Sequence, residues 1–99
     1  MARFYKNRKW KYKRAKVLRR DEYLCRECKR YGRTTAATTV HHVIPIEERP
    51  ELALVSRNLI SLCDSCHNAM HDRDTGALTV KGMSWVERMQ VAPLSRTAK

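Results

Sequence analysis

No stretch of this 99-residue sequence approaches the ~18 consecutive apolar residues that a membrane span needs. The opening residues, Met-Ala-Arg-Phe-Tyr-Lys, hold no apolar core of the kind a secretory signal carries, so the chain is expected to stay in the cytoplasm. There is no internal repeat and no low-complexity tract. At 11.6 kDa a second domain is also excluded, since each half would be too short to bury a core unaided. Acidic residues are scarce, 10 against 21 Lys and Arg for a formal charge of +11, which rules out an acidic or balanced surface. A polyanionic partner is the first expectation.

Residues 1–20 contain no acidic residue at all but ten basic ones: Arg3, Lys6, Arg8, Lys9, Lys11, Lys13, Arg14, Lys16, Arg19 and Arg20. Residues 21–99 carry eleven basic and ten acidic residues, so the excess charge is an N-terminal arm. Phe4, Tyr5, Trp10 and Tyr12 are interleaved with it. Such a mixture neutralises phosphates while its rings stack or anchor, which makes Arg8, Lys9, Lys11, Lys13, Arg14 and Lys16 candidate nucleic-acid contacts. The alternative is a solvated basic helix. Trp10, Val17 and Leu18 fall at i, i+7 and i+8 and predict a helix over roughly residues 7–20 with one packed face.

Beyond the arm, Cys25-Arg26-Glu27-Cys28 predicts a short knuckle, followed by a turn at Tyr31-Gly32. The β-branched run 38–44 predicts a strand stopped by Pro45, and residues 45–57 a long loop. Leu59 to Leu62 predict a second strand, antiparallel to the first. A helix capped by Asp64 or Ser65 is expected from about Cys66 to Arg73, closing near Gly76. Ser84 to Glu87 fit a capping box, predicting a short helix that Pro93 ends, with Leu94 to Lys99 frayed.

The cysteines form two knuckles, Cys25-x2-Cys28 and Cys63-x2-Cys66. Four soft thiolates fit closed, tetrahedral zinc, and a cytoplasmic setting disfavours disulfides. A closed four-sulfur site leaves no position for water, so one structural Zn²⁺ is expected to stabilise rather than catalyse. It would staple the segment after the first helix to the start of the helix near Cys66.

All four histidines, His41, His42, His67 and His71, lie inside or beside the insert bracketed by that staple. His67 follows Cys66 and would point about 100° away from it on a helix, free to serve a second centre; His71 four residues on would share that face. The alternative for this pair is an exposed i, i+4 couple near a helix C-terminus. Pairing of the strands would bring His41 and His42 close to the same helix. In a regular strand those two face opposite sides, so one site can use both only if the strand twists, bulges or ends there.

These residues resemble the HNH endonuclease family, the zinc-stapled branch of the ββα-metal nucleases. The resemblance rests on the two cysteine pairs, on Val40-His41-His42-Val43-Ile44-Pro45, and on the run from Asn58 to Asn68. It spans roughly residues 5–76, and the Trp10 helix leading into Leu24-Cys25 is similar to small phage and prophage HNH proteins. It implies an α+β, small ββα-metal fold with an N-terminal helix and a four-cysteine zinc site. The implied organisation is a basic arm over 1–20, a zinc-stapled core over 21–76 and an extension over 77–99, one domain overall.

By the same resemblance His42 is the general base, and His41 and His67 ligate a catalytic divalent ion. Asn58 orients the base and braces the loop, and His71, at a spacing found in colicin-type nucleases, is a further candidate ligand. The implied activity is metal-dependent hydrolysis of DNA, double-stranded and weakly sequence-specific. Imidazoles suit Mn²⁺, Ni²⁺, Co²⁺ or Zn²⁺ better than Mg²⁺, though abundant Mg²⁺ can serve. Two further readings are a non-catalytic zinc-ribbon-like module binding nucleic acid or protein, and a packaging accessory factor working with phage terminase proteins.

Overall fold

The alternation over residues 39–42 and 59–62 produces a two-stranded antiparallel sheet in a computed structural model that describes residues 2–90. Strand β1 (Thr39–His42) pairs with β2 (Leu59–Leu62) in the register Thr39↔Leu62 to His42↔Leu59. The strand expected over 38–44 is shorter, and the reason lies in its partner. Past Leu59 the partner chain becomes a 3₁₀ turn, Ser56–Asn58. The amides of Val43 and Ile44 therefore bond to the Asn58 carbonyl (2.8 Å) and the Asn58 side chain (2.8 Å) instead of a ladder.

Both faces of the sheet are covered, and the two strands are accordingly buried almost throughout. On one side Val40 and Leu59 pack with Trp10, Val17 and Leu18 of α2 (Arg8–Arg20), which follows a short helix α1 (Ala2–Tyr5). Asn7 caps α2 by accepting from the Lys9 amide at 2.6 Å. After α2 the chain reverses through two successive left-handed residues, Glu22 (φ 59°) and Tyr23 (φ 62°). Such conformations cost about 1–2 kcal/mol each in a non-glycine residue. The reversal leaves Asp21 accepting from the Ser61 amide of β2 at 3.0 Å while it pairs with Arg20. Burial alone would raise the Asp21 carboxyl, but the Arg20 guanidinium and the Ser61 hydrogen bonds hold it below the ordinary value.

On the other side Val43, Ile60 and Leu62 pack with the four cysteines, Met70 and Trp85. The first knuckle is a helical turn, α3 (Arg26–Arg30), ended by Tyr31 and by Gly32 at φ 79°. The second differs from expectation: α4 runs Asp64–Asn68, with Cys63 and not Asp64 or Ser65 at its N-cap, and it ends five residues before Arg73. Met70 turns into the core, and His71 forms an antiparallel bridge with Leu78. The helix α5 (Val80–Met89) also begins earlier than the Ser84 capping box predicts, because Thr79 accepts from the Gly82 amide at 3.1 Å. Gly82 lies against the Met70 carbonyl, where any Cβ would collide. The buried Glu27 carboxylate joins α3 to α5, accepting from Trp85 Nε1 (2.8 Å) and Arg30 (3.1 Å). Pro93 and the frayed end expected from Leu94 lie outside the described residues. Among those described, no helix is long and apolar enough to cross a membrane.

Candidate active site

The four cysteines converge from α3 and α4, and their sulfurs all lie within 4.8 Å of one another. Cys28 Sγ is 3.9 Å from Cys63 Sγ and 3.7 Å from Cys66 Sγ, too far for a disulfide bond of about 2.05 Å. Four sulfurs at about 2.3 Å from a tetrahedral zinc ion stand about 3.8 Å apart, so this group is sized for such an ion. Burial pushes the Cys25 and Cys66 thiols up, whereas a hydrogen bond with the Thr35 side chain brings Cys28 down to about 6.

A second cluster is built from imidazoles. The His41 ring centroid lies 5.3 Å from that of His67 and 5.5 Å from that of His71. His41 is 2% exposed and its Nε2 is buried with no hydrogen-bond partner. A buried polar atom is rarely left so without a ligand to meet it. Two imidazoles on one ion, with metal–nitrogen bonds of about 2.1 Å, have ring centroids about 4.5–5.2 Å apart. His41 thus stands within a few tenths of an ångström of that spacing from His67 and from His71 alike. His71 is not on the helix of His67, contrary to the i, i+4 expectation; the bridge to Leu78 carries it back to the same place. Its Nδ1 bonds to the Gly76 carbonyl at 3.1 Å, which assigns the proton to Nδ1 and leaves the Nε2 lone pair available.

His42 faces the opposite side of β1. Its ring stacks on Trp10, with centroids 5.0 Å apart and planes 24° from parallel, and Phe4 and Tyr5 meet it edge-on. Its Nε2 lies 3.0 Å from the Ala53 carbonyl, which can only accept, so Nε2 carries the proton and Nδ1 the lone pair. Burial lowers the His42 pKa, opposed by the Ala53 hydrogen bond and the negative charge of Glu47. The two histidines nevertheless border one cleft of about 650 Å³, which all four β1 residues line together with His67, His71, Glu47 and Glu48. No β2 residue lines it, so the cleft follows the free edge of β1 where both faces reach the same space. The condition that sequence geometry imposed is met because the strand ends at His42.

Asn58, fully buried, secures the loop beneath this site. It accepts from the Ile44 amide (2.8 Å) and donates to the carbonyls of Ile44 (3.1 Å) and Leu52 (3.4 Å). Leu52 immediately precedes Ala53, whose carbonyl fixes the His42 ring. Asn58→Ala leaves the buried Ile44 groups unpaired and is expected to cost about 2–4 kcal/mol. Urea denaturation checks this, and a change under about 0.5 kcal/mol would show that the loop is held by other means.

Of the arm residues, Arg8, Lys9, Lys11 and Lys16 are exposed on α2. Lys13 instead bonds to Ser56 at 2.9 Å, and Arg14 reaches the Thr38 carbonyl at 3.4 Å. Lys11 and Arg14, with Tyr5, Trp10, Thr39 and Val40, line a second groove of about 590 Å³ beside the cleft. Nothing in the sequence places Trp10, Ala53 or Glu47 at the site; the spacing of Trp10 marks it as a core residue but does not pair it with His42.

The HNH endonuclease family model matches residues 25–73, a span that takes in both cysteine pairs, all four histidines and Asn58. No curated protein matches the chain. The crystal structure of the HNH endonuclease of the deep-sea thermophilic bacteriophage GVE2 with manganese ion is similar to it, at 39% sequence identity and a TM-score of 0.66. The similarity covers 68% of this chain and 73% of the phage protein. With that identity over most of a phage HNH endonuclease, and the family model matching the span that holds the cysteines, histidines and Asn58, the chain belongs to the HNH endonuclease family.

Proposed function

We propose that the protein is a divalent-metal-dependent endonuclease that hydrolyses phosphodiester bonds of double-stranded DNA. His42 is the general base, and His41, His67 and His71 hold the catalytic ion. A separate structural zinc sits on Cys25, Cys28, Cys63 and Cys66. The observation that carries the reading is the unpartnered His41 Nε2, buried against two further imidazoles at the cleft that His42 also borders. A non-catalytic zinc module would have no use for that cluster.

Burial, reinforced by the neighbouring imidazoles, pushes His41 down to about 3, and burial lowers His67 as well. Protons at neutral pH therefore do not compete for those lone pairs. When bound, the divalent ion supplies Lewis-acid polarisation of the phosphodiester and neutralises charge on the leaving 3′ oxygen. His42 Nδ1 takes the proton from the attacking water, while the Ala53 carbonyl holds the ring in the tautomer that makes Nδ1 the base. The Trp10 face prevents the ring from turning away. Three imidazoles favour Mn²⁺, Co²⁺, Ni²⁺ or Zn²⁺ over Mg²⁺; manganese is the ion in the phage protein's crystals. Phosphate-dominated contacts from the arm give weak sequence preference.

The zinc-loaded protein incubated with supercoiled plasmid is expected to yield nicked or linear DNA on addition of Mn²⁺, and less with Mg²⁺. Absence of cleavage across all five ions would remove the proposal.

A further inference from the structure

The cleft and the groove beside it differ in charge. The lining of the cleft includes Glu47 and Glu48 and no Lys or Arg, whereas the lining of the groove includes Lys11 and Arg14 and no carboxylate. Apart from the ion, a polyanion held at the histidines finds its cationic side chains outside the cleft. The two spaces share Tyr5, Thr39 and Val40, so they join along β1. Tyr5, 44% exposed, stands at the junction, with Phe4 and Trp10 both packed edge-on against it. Arg14 is steadied there by the Thr38 carbonyl, and neither cation forms an ion pair among the described residues.

We infer that this groove is a nucleotide subsite: the DNA strand being cut leaves the cleft across Tyr5. The sugar and base next to the scissile phosphate pack on the Tyr5 ring, and the following phosphate binds Lys11 and Arg14. The inference rests on the endonuclease reading for what occupies the cleft. It separates Lys11 and Arg14 from Arg8, Lys9 and Lys16, which face solvent, from Lys13, which bonds to the Ser56 side chain, and from Arg20, which bonds to Asp21 and the Leu59 carbonyl. It also gives the exposed Tyr5 ring a function.

The test measures binding of a labelled 20-base-pair duplex to the zinc-loaded full-length protein without added divalent metal, so turnover plays no part. Lys11→Gln/Arg14→Gln is expected to weaken binding at least tenfold and to reduce the slope of log affinity against log salt by about 0.9, for the one phosphate the pair binds. Arg8→Gln/Lys9→Gln, the same charge change outside the groove, should cost less. Equal losses from the two pairs, or no change of slope from the first, would overturn the subsite. With 5-iodouracil in place of thymine in the duplex, irradiation should join a base to Tyr5, and Tyr5→Leu should abolish that product. Cross-linking only at other residues would also overturn it. A protein that binds in this way but cuts with no metal would refute the nuclease reading and leave the groove standing.

Discussion

His42→Ala is expected to lower the rate of DNA hydrolysis by about 10²–10⁴-fold at saturating metal, the usual contribution of a positioned general base. The loss should fall on kcat, because the His41 cluster and the basic groove remain to bind ion and substrate. The pH profile tests the assignment further. The base works in its neutral form, and burial against Trp10 lowers its pKa from 6.5. Activity should therefore stay on its plateau as pH falls past 6.5 and decline only when the lowered pKa is reached. An acid limb above 6.5, or one that persists in His42→Ala, would assign the proton transfer to another group.

Removal of the proposed zinc is expected to unfold the domain. A structural zinc site contributes on the order of 10 kcal/mol, against a total stability of about 5–15 kcal/mol for a typical domain. Here the cysteines occupy the centre of the larger core cluster, so losing the ion also sets free the ends of α3 and α4. Cys28→Ser, or a chelator strong enough to strip the site, should abolish the cooperative thermal transition seen by circular dichroism. His67→Ala should leave that transition and one tightly bound zinc per chain in place. If Cys28→Ser melts like the parent protein, the staple is not what holds this fold.

Much of this was legible in the sequence because it depends on local spacing. The paired Cys-x2-Cys knuckles, the packed stripe of Trp10, Val17 and Leu18, and the hairpin of residues 39–42 and 59–62 all follow from neighbours along the chain. The errors occur where a distant contact decides. The helix near Cys66 stops at Asn68 because Met70 must reach the core beside Gly82, and no capping signal records that demand. His71 joins His41 through a bridge to Leu78 rather than through helix periodicity. Asn58 resembles an ordinary turn residue until its partners, Ile44 and Leu52, are known. Glu27 reads as a surface acid on a knuckle, yet it lies buried beneath Trp85, 58 residues away in sequence.

The stack of Trp10 on His42 bears on how such a domain can be shortened or recombined. Charge alone suggests a seam after residue 20, with an interchangeable basic leader before it. The packing runs across that seam: Val40, Leu59 and one flat side of the His42 imidazole owe their shelter to side chains from the leader. A transplant that exchanged the first twenty residues for another cationic helix would keep the net charge yet deprive His42 of its backing. The arm and the histidine pocket must therefore be inherited, or engineered, as one unit.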